Sequence, residues 1–287
     1  MSRNKTIIYI IGAGRSGTTL LDVLLGNAEG IFSGGELNRY AIDEGIVKGL
    51  ESKPERTIFW DTFGKEFLPQ IDLDHQKDVH HKVEYHTQYL KRLLGLKDAK
   101  AYKEYQDYLE KFYQMLFDRI DEDIVVDSSK YPGRALAMSD TLNYRTCYLY
   151  IKRDPVQVVR SFAKTDVYIP TKSWSSANLY YLLVNSLCQY TLKMLRPKHA
   201  VHEIRYEDLI LNTDKVLNDI ETAFNLDLST VKQKVANDEY LEVGELFAGH
   251  TLRMQERIKL RKKLSAKPDS SIKDKVTRII NSPVYTL

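Results

Sequence analysis

The segment Thr6–Asn27, TIIYIIGAGRSGTTLLDVLLGN, constrains the chain more than any other, because it reads as a strand, a Gly-rich turn and a helix in immediate succession. Thr6–Ile11 is β-branched and apolar on both faces, the pattern of a strand inside a parallel sheet. Leu20, Leu21, Leu24 and Leu25 then recur at helical spacing. Between them lies Gly12–Thr19, GAGRSGTT, whose three glycines let the backbone turn tightly and approach a ligand. The amides of Ser16, Gly17, Thr18 and Thr19 then converge on an anion at the helix N-terminus. The Walker A pattern fits at Gly12, Gly17 and Thr19, but Thr18 stands where it needs lysine. ATP or GTP hydrolysis is thereby disfavoured. The cation has moved into the loop as Arg15, which suits a shorter anionic group.

Four strands are predicted: Thr6–Ile11, Ile124–Asp127, Cys147–Lys152 and Val201–Arg205. Each is followed by a polar turn and a helical pattern, an alternation that predicts an α/β three-layer fold with a central parallel sheet flanked by helices. Ligands of such sheets gather at the carboxyl ends of the strands. Arg153 closes the third strand there, and Lys130 falls in the polar turn of DIVVDSSKYPGR after the second. Asp154 and Pro155 give N-cap and N1 signals, Val156, Val158, Val159 and Phe162 form an inner helical face, and Ser161 lies within that helix.

The loop RSGTT with its leading glycine resembles the 5′-phosphosulfate loop of the sulfotransferases that use 3′-phosphoadenosine 5′-phosphosulfate (PAPS). An arginine in the loop is the form found in carbohydrate and tyrosylprotein members, so the chain resembles a soluble, bacterial-type enzyme of that branch with a P-loop fold. The resemblance implies that Gly14, Arg15, Ser16, Gly17, Thr18 and Thr19 surround the 5′-phosphosulfate. It puts Arg153 and Ser161 at the 3′-phosphate, a dianion that a planar guanidinium and a hydroxyl match well. Glu36 stands in IFSGGELNRY, 21 residues after Arg15, where related enzymes carry the general base on a Gly-Glu segment. Cytosolic aryl members use a histidine, which leaves His199, His202 and His250 as alternatives. The segment D-S-S-K-x-P aims Lys130 at the sulfuryl group beside Arg15, with Ser128 or Ser129 positioning the donor or capping the next helix. GHTLR resembles a late Gly-Asn-x-x-Arg segment, with His250 in place of asparagine, and implies that Arg253 folds over the nucleotide. In RYEDLI, Arg205 and Tyr206 would support the nucleotide side, while Glu207 and Asp208 cap a helix. The reaction implied is in-line sulfuryl transfer from PAPS to the hydroxyl of a carbohydrate, glycolipid or small metabolite. It releases 3′-phosphoadenosine 5′-phosphate (PAP) and calls for no metal. Two other readings of the loop are a P-loop small-molecule kinase and a non-catalytic nucleotide-binding protein.

With 287 residues, 43% of them hydrophobic, the chain suffices for one α/β domain over 1–287 with a mainly helical insertion at about 38–119. That insertion is expected to shape the acceptor cleft. Its Tyr85, Tyr89, Tyr102, Tyr105, Tyr108 and Tyr113 suit either stacking on sugar rings or amphipathic packing. His75, His80, His81 and His86 have neither i,i+4 spacing nor nearby cysteines, so no metal site is expected among them. Trp174–Leu195 reads as a helix whose stripe of Leu179, Leu182, Leu183, Leu187, Leu192 and Leu195 packs on the sheet. A formal charge of +3 gives no argument for nucleic acid. Thr251–Ile280 holds ten Lys and Arg against three Asp and Glu, either an attraction for a bisphosphate or a solvated face, and is broken at Lys267–Ser271. No apolar run reaches membrane-spanning length, no leader is read, and the only cysteines are Cys147 and Cys188, so a cytoplasmic location is expected.

Overall fold

The computed structural model describes residues 5–96, 98–141, 143–164, 171–264 and 271–285. Strand β1 (Thr6–Gly12) is central in an all-parallel sheet ordered β2-β3-β1-β4-β5. Its partners are β2 (Ile31–Ser33), β3 (Ile124–Lys130), β4 (Arg145–Lys152) and β5 (Val201–Arg205). Every residue of β1 is buried. Ile7, Tyr9 and Ile11 enter one core and Ile8 and Ile10 the other, so a strand covered on both sides needs apolar residues at every position.

Helix α1 (Thr18–Leu25) follows β1. Between β2 and β3 the chain forms α2 (Arg39–Ile42), α3 (Ile58–Phe67), α4 (Leu73–Glu84), α5 (His86–Leu93) and α6 (Ala99–Arg119). Then come α7 (Pro132–Thr141), α8 (Pro155–Phe162), α9 (Trp174–Leu195), α10 (Tyr206–Leu211), α11 (Thr213–Phe224) and α12 (Ser229–Ala236). A two-stranded antiparallel hairpin, β6 (Leu241–Glu242) with β7 (Arg257–Ile258), precedes α13 (Ile272–Tyr285). The inserted helices, α7 and α9 cover one face of the sheet; α1, α11 and α12 cover the other.

Three strand boundaries differ from expectation: β1 runs on to Gly12, β4 starts at Arg145 instead of Cys147, and the end of β3 moves furthest. β3 continues through Ser128 and Ser129 to Lys130 instead of ending at Asp127. Its register with β1 passes from Tyr9↔Asp127 to Ile11↔Lys130, three steps against two, so one extra residue bulges from β3 and re-aims its end. β2 and the β6–β7 hairpin were not foreseen, because runs of two or three residues show no periodicity. Five of the six insertion tyrosines are buried and only Tyr85, 42% exposed, is not. They pack in an aromatic core in which Tyr40 meets Phe63 at 5.3 Å and Phe63 meets Phe112 at 5.4 Å. In α9, Leu187, Leu192 and Leu195 are buried as expected. Leu179 faces outward, because Ala177, Tyr181, Val184 and Cys188 make the buried side. The break at Lys267–Ser271 lies, apart from Ser271, outside the described residues. Among the described residues no helix is long and apolar enough to cross a membrane.

The insertion is anchored to the sheet by a buried polar network. Arg134 Nε donates to Asp127 Oδ2 at 2.9 Å, and Arg134 Nη1 donates to Tyr105 Oη at 2.8 Å and lies 3.4 Å from Glu84 Oε1. All three charged side chains are 99% or more buried. Removing one member of such a network leaves its counter-charges buried and unpaired. Arg134→Ala is therefore expected to destabilise the fold by about 3–5 kcal/mol, read from the denaturant midpoint.

Candidate active site

The two neighbours of β1 are reached by chain running to opposite sides, which opens a crevice at the carboxyl edge of the sheet. A cavity of about 410 Å³ lies there. Gly14, Arg15, Gly17, Thr18 and Thr19 reach it from the turn after β1, Lys130 from the end of β3, Arg153, Ser161 and Phe162 from β4–α8, and Tyr206 from the start of α10. Leu20, Glu36, Lys172, Tyr180, His250 and Leu252 complete the described lining.

The turn is held from several sides. Arg15 and Gly17 adopt left-handed φ values of 70° and 98°. A Cβ on Gly17 would stand 2.3 Å from the Tyr206 ring, so only glycine fits at this N-cap of α1. The Gly14 amide donates to Tyr180 Oη at 3.0 Å, and the Arg15 carbonyl accepts from Arg153 Nη1 at 3.1 Å. Arg153 thus ties down the loop while its guanidinium stacks 4.2 Å from the Tyr206 ring centroid. The neighbouring Asp154 is taken by Arg278 at 2.7 Å and caps α8 through the amides of Val156 and Gln157, as its sequence position foretells.

Glu36 and Lys130 form an ion pair, and both side chains are mostly buried. Each sits on a constrained backbone. The segment 34–36 is wedged between two chains: the Gly34 amide donates to Val126 O at 3.0 Å, Ser128 N to Gly35 O at 2.8 Å, and Glu36 N to Ala248 O at 3.0 Å. Gly35 has φ 75°, and a Cβ there would stand 2.6 Å from Ala248 O. The two glycines before Glu36 therefore build a packed turn. Lys130 follows the β3 bulge with φ 75°. Ser129, foreseen as a cap or a donor contact, instead bonds Asp127 and accepts the Asn38 amide at 2.9 Å, which links the Lys130 strand to the Glu36 segment.

Of the other residues singled out, Ser16 is fully buried beneath the turn, and its Oγ finds no partner among the described residues. Arg253 is not placed in the cavity. It lies in the short helix Thr251–Met254, is 4% exposed and donates to the Lys48 carbonyl, while its own carbonyl accepts from Arg56 at 3.1 Å. The segment instead presents His250, whose amide donates to Thr19 Oγ1 at 3.2 Å and whose Nδ1 accepts from Leu252 N. His199 bonds Ser139 at 2.8 Å and, like His202 on β5, does not line the cavity; burial lowers both their pKa values. No described residue of 38–119 lines it either. Lys172 and Tyr180 were missed by the sequence reading: neither belongs to a motif, and Tyr180 sits in a helix legible only as amphipathic.

Anion binding is the chemistry this lining allows. Arg15, Lys130, Arg153 and Lys172 meet Glu36 as the one carboxylate among the described lining residues. Arg153 Nε is also buried without a hydrogen-bond partner among the described residues, a donor left for a ligand.

The sulfotransferase family model matches residues 8–230, and the chain belongs to that family. Its fold is similar to that of the sulfotransferase domain from the curacin biosynthetic pathway, at 18% identity over 98% of this chain and 99% of that one, with a TM-score of 0.57. It is also similar to sulfotransferase STF9 from Mycobacterium avium, at 11% identity over 82% of this chain and 68% of that one, with a TM-score of 0.52. No curated relative matches the sequence.

Gly17→Ala puts a methyl into the Tyr206 ring at a left-handed φ. It is expected to cost at least about 1 kcal/mol of stability, read from the denaturant midpoint. Adding Tyr206→Ala should restore part of the stability, because it removes the clash and leaves the strained φ.

Proposed function

We propose that the chain is a PAPS-dependent sulfotransferase, one domain over 1–287, that transfers a sulfuryl group to the hydroxyl of a carbohydrate, glycolipid or small metabolite. The observation that carries this reading is the Glu36–Lys130 pair, held in the same cavity as the Arg15 turn and Arg153. Family membership supports sulfotransfer, and the lining supports a ligand with two anionic ends.

The first amides of α1 lack carbonyl partners within the helix, and with Arg15 they would hold the 5′-phosphosulfate. Arg153, with its unpartnered Nε, and Ser161 would hold the 3′-phosphate. The donor, when bound, supplies a sulfuryl group already activated by a phosphate leaving group. Glu36 accepts the proton of the acceptor hydroxyl as its oxygen attacks. Lys130 and Arg15 stabilise the charge that grows on the departing oxygen. Because Lys130 already touches Glu36, the base and the electrophile are positioned against each other, about one hydrogen bond apart.

Calorimetry with PAP and turnover of radiolabelled PAPS against a panel of sugars, lipids, phenols and peptides test this reading. Glu36→Gln should keep PAP affinity within about twofold and lower turnover by about 10²–10⁴. Unchanged turnover removes Glu36 as the base. Arg153→Ala should weaken PAP binding by roughly tenfold or more, the worth of a charged hydrogen bond. A wild-type protein that binds no PAP removes the assignment.

A further inference from the structure

Asp22 is a fully buried carboxyl on α1, between Leu21 and Val23, where the helix otherwise presents apolar side chains to the core. No cation pairs with it among the described residues. Its Oδ1 accepts from Ser33 Oγ at 2.6 Å and its Oδ2 from the Gly35 amide at 3.1 Å. Those donors stand at the end of β2 and in the turn that delivers Glu36. We propose that Asp22 is a positioning residue: as a carboxylate it grips the Gly35 amide, fixes the left-handed Gly35 turn and thereby aims Glu36 at Lys130.

The cost of keeping this carboxyl points the same way. Burial pushes its pKa up to about 7. The Ser128 and Ser33 hydroxyls and the Gly35 amide oppose that shift, and the nearby Asp127 on β3 adds to it. Asp127 is the titratable group that faces it; β2 and the turn after it contribute only the Ser33 hydroxyl and the Gly35 amide. Asp127 is itself ion-paired to Arg134. The folded-state pKa lies above the unfolded value of 3.8, so the stability held below pH 3.8 is withdrawn as pH rises from there to about 7. A carboxylate that weakens the fold while ordering the base-bearing turn is placed for function.

Protonation has a specific structural outlet. Ser33 Oγ also lies 3.3 Å from the Asp22 backbone carbonyl, so it can rotate there when Oδ1 takes the proton. The Gly35 amide then faces a neutral carbonyl oxygen in place of a charged one, and a bond to a neutral group is roughly half as strong. The Glu36 turn is held tightest above about pH 7 and loosens below it.

The inference rests on Glu36 being the base, and NMR separates the two. In wild-type protein saturated with PAP, the Gly35 amide proton and the Glu36 side-chain carboxyl carbon should move together through a midpoint within about one pH unit of 7. Ser33→Ala removes a donor to the carboxylate and should raise that midpoint, and Asp22→Asn should abolish it in both signals with PAP affinity within about twofold. Flat signals, a midpoint insensitive to both substitutions, or movement of Gly35 alone overturns the assignment. If Asp22→Asn does not fold, Ser33→Ala decides. Wild-type turnover by Glu36→Gln would unseat the base and leave this titration intact. A flat titration beside an inactive Glu36→Gln would unseat Asp22 alone.

Discussion

Asp127 is the carboxylate on which both the fold and the site depend. One of its oxygens accepts the Ser129 amide at 2.9 Å together with the Ser129 hydroxyl; the other accepts Tyr113 Oη at 2.5 Å and Arg134 Nε at 2.9 Å. The second oxygen locks α6 and α7 onto the sheet, and the first shapes the bulged end of β3 from which Lys130 leaves. A charge this deep is tolerable only because every lone pair is used, so the packing of the insertion and the aim of Lys130 cannot be adjusted independently.

The same economy governs the backbone. Arg15, Gly17, Gly35 and Lys130, all at or beside the cavity, have left-handed φ values, and two of them are not glycine. An L-residue in that region costs roughly 1–2 kcal/mol, and such conformations persist where the surroundings over-determine them. Here the surroundings can be named: Arg153 on the Arg15 carbonyl, Asp127 on the Ser129 amide, and Ala248 and Asp22 on the Gly35–Glu36 segment. Glu44, Asn225 and Asp238 share the conformation away from the cavity, so a positive φ alone does not mark a site. Convergence of several on one crevice does.

The central strands, the turn after β1 and the N-cap at Asp154 were legible in the sequence because each rests on local chemistry: burial on two faces, glycines at a close approach, a side chain capping its own helix. The bulge in β3 was not, since its cause lies in register against β1 and in a buried carboxylate that reads as an ordinary polar residue. Arg253 shows the limit of carrying a motif residue over. With His250 where the motif has asparagine, the segment turns its histidine towards the turn after β1 and its arginine towards Lys48. Asp22 left no signal at all, because one acidic residue within a leucine-rich helix looks exposed until the tertiary fold covers it.

The insertion bears on how an acceptor is chosen. Tyr105, Tyr108 and Tyr113 are committed to the core around Phe112 and to the Arg134 network, so changing them alters stability before it alters recognition. Under the proposed function, selectivity then rests on side chains that line the cavity together with Glu36. Phe162, Tyr180 and Lys172 form one such group in the described wall, with the ammonium 5.6 Å and 5.2 Å from the two ring centroids. The rings offer flat apolar faces, and the ammonium favours negative charge. Glu36 and Lys130 keep 21% and 16% of their side chains exposed, so their attraction is only partly screened. A ligand that displaces this contact must bring its own anion to Lys130. Under the sulfuryl transfer proposed above, a sulfonate oxygen would do so, and in the same movement it would free the Glu36 carboxylate for the hydroxyl proton.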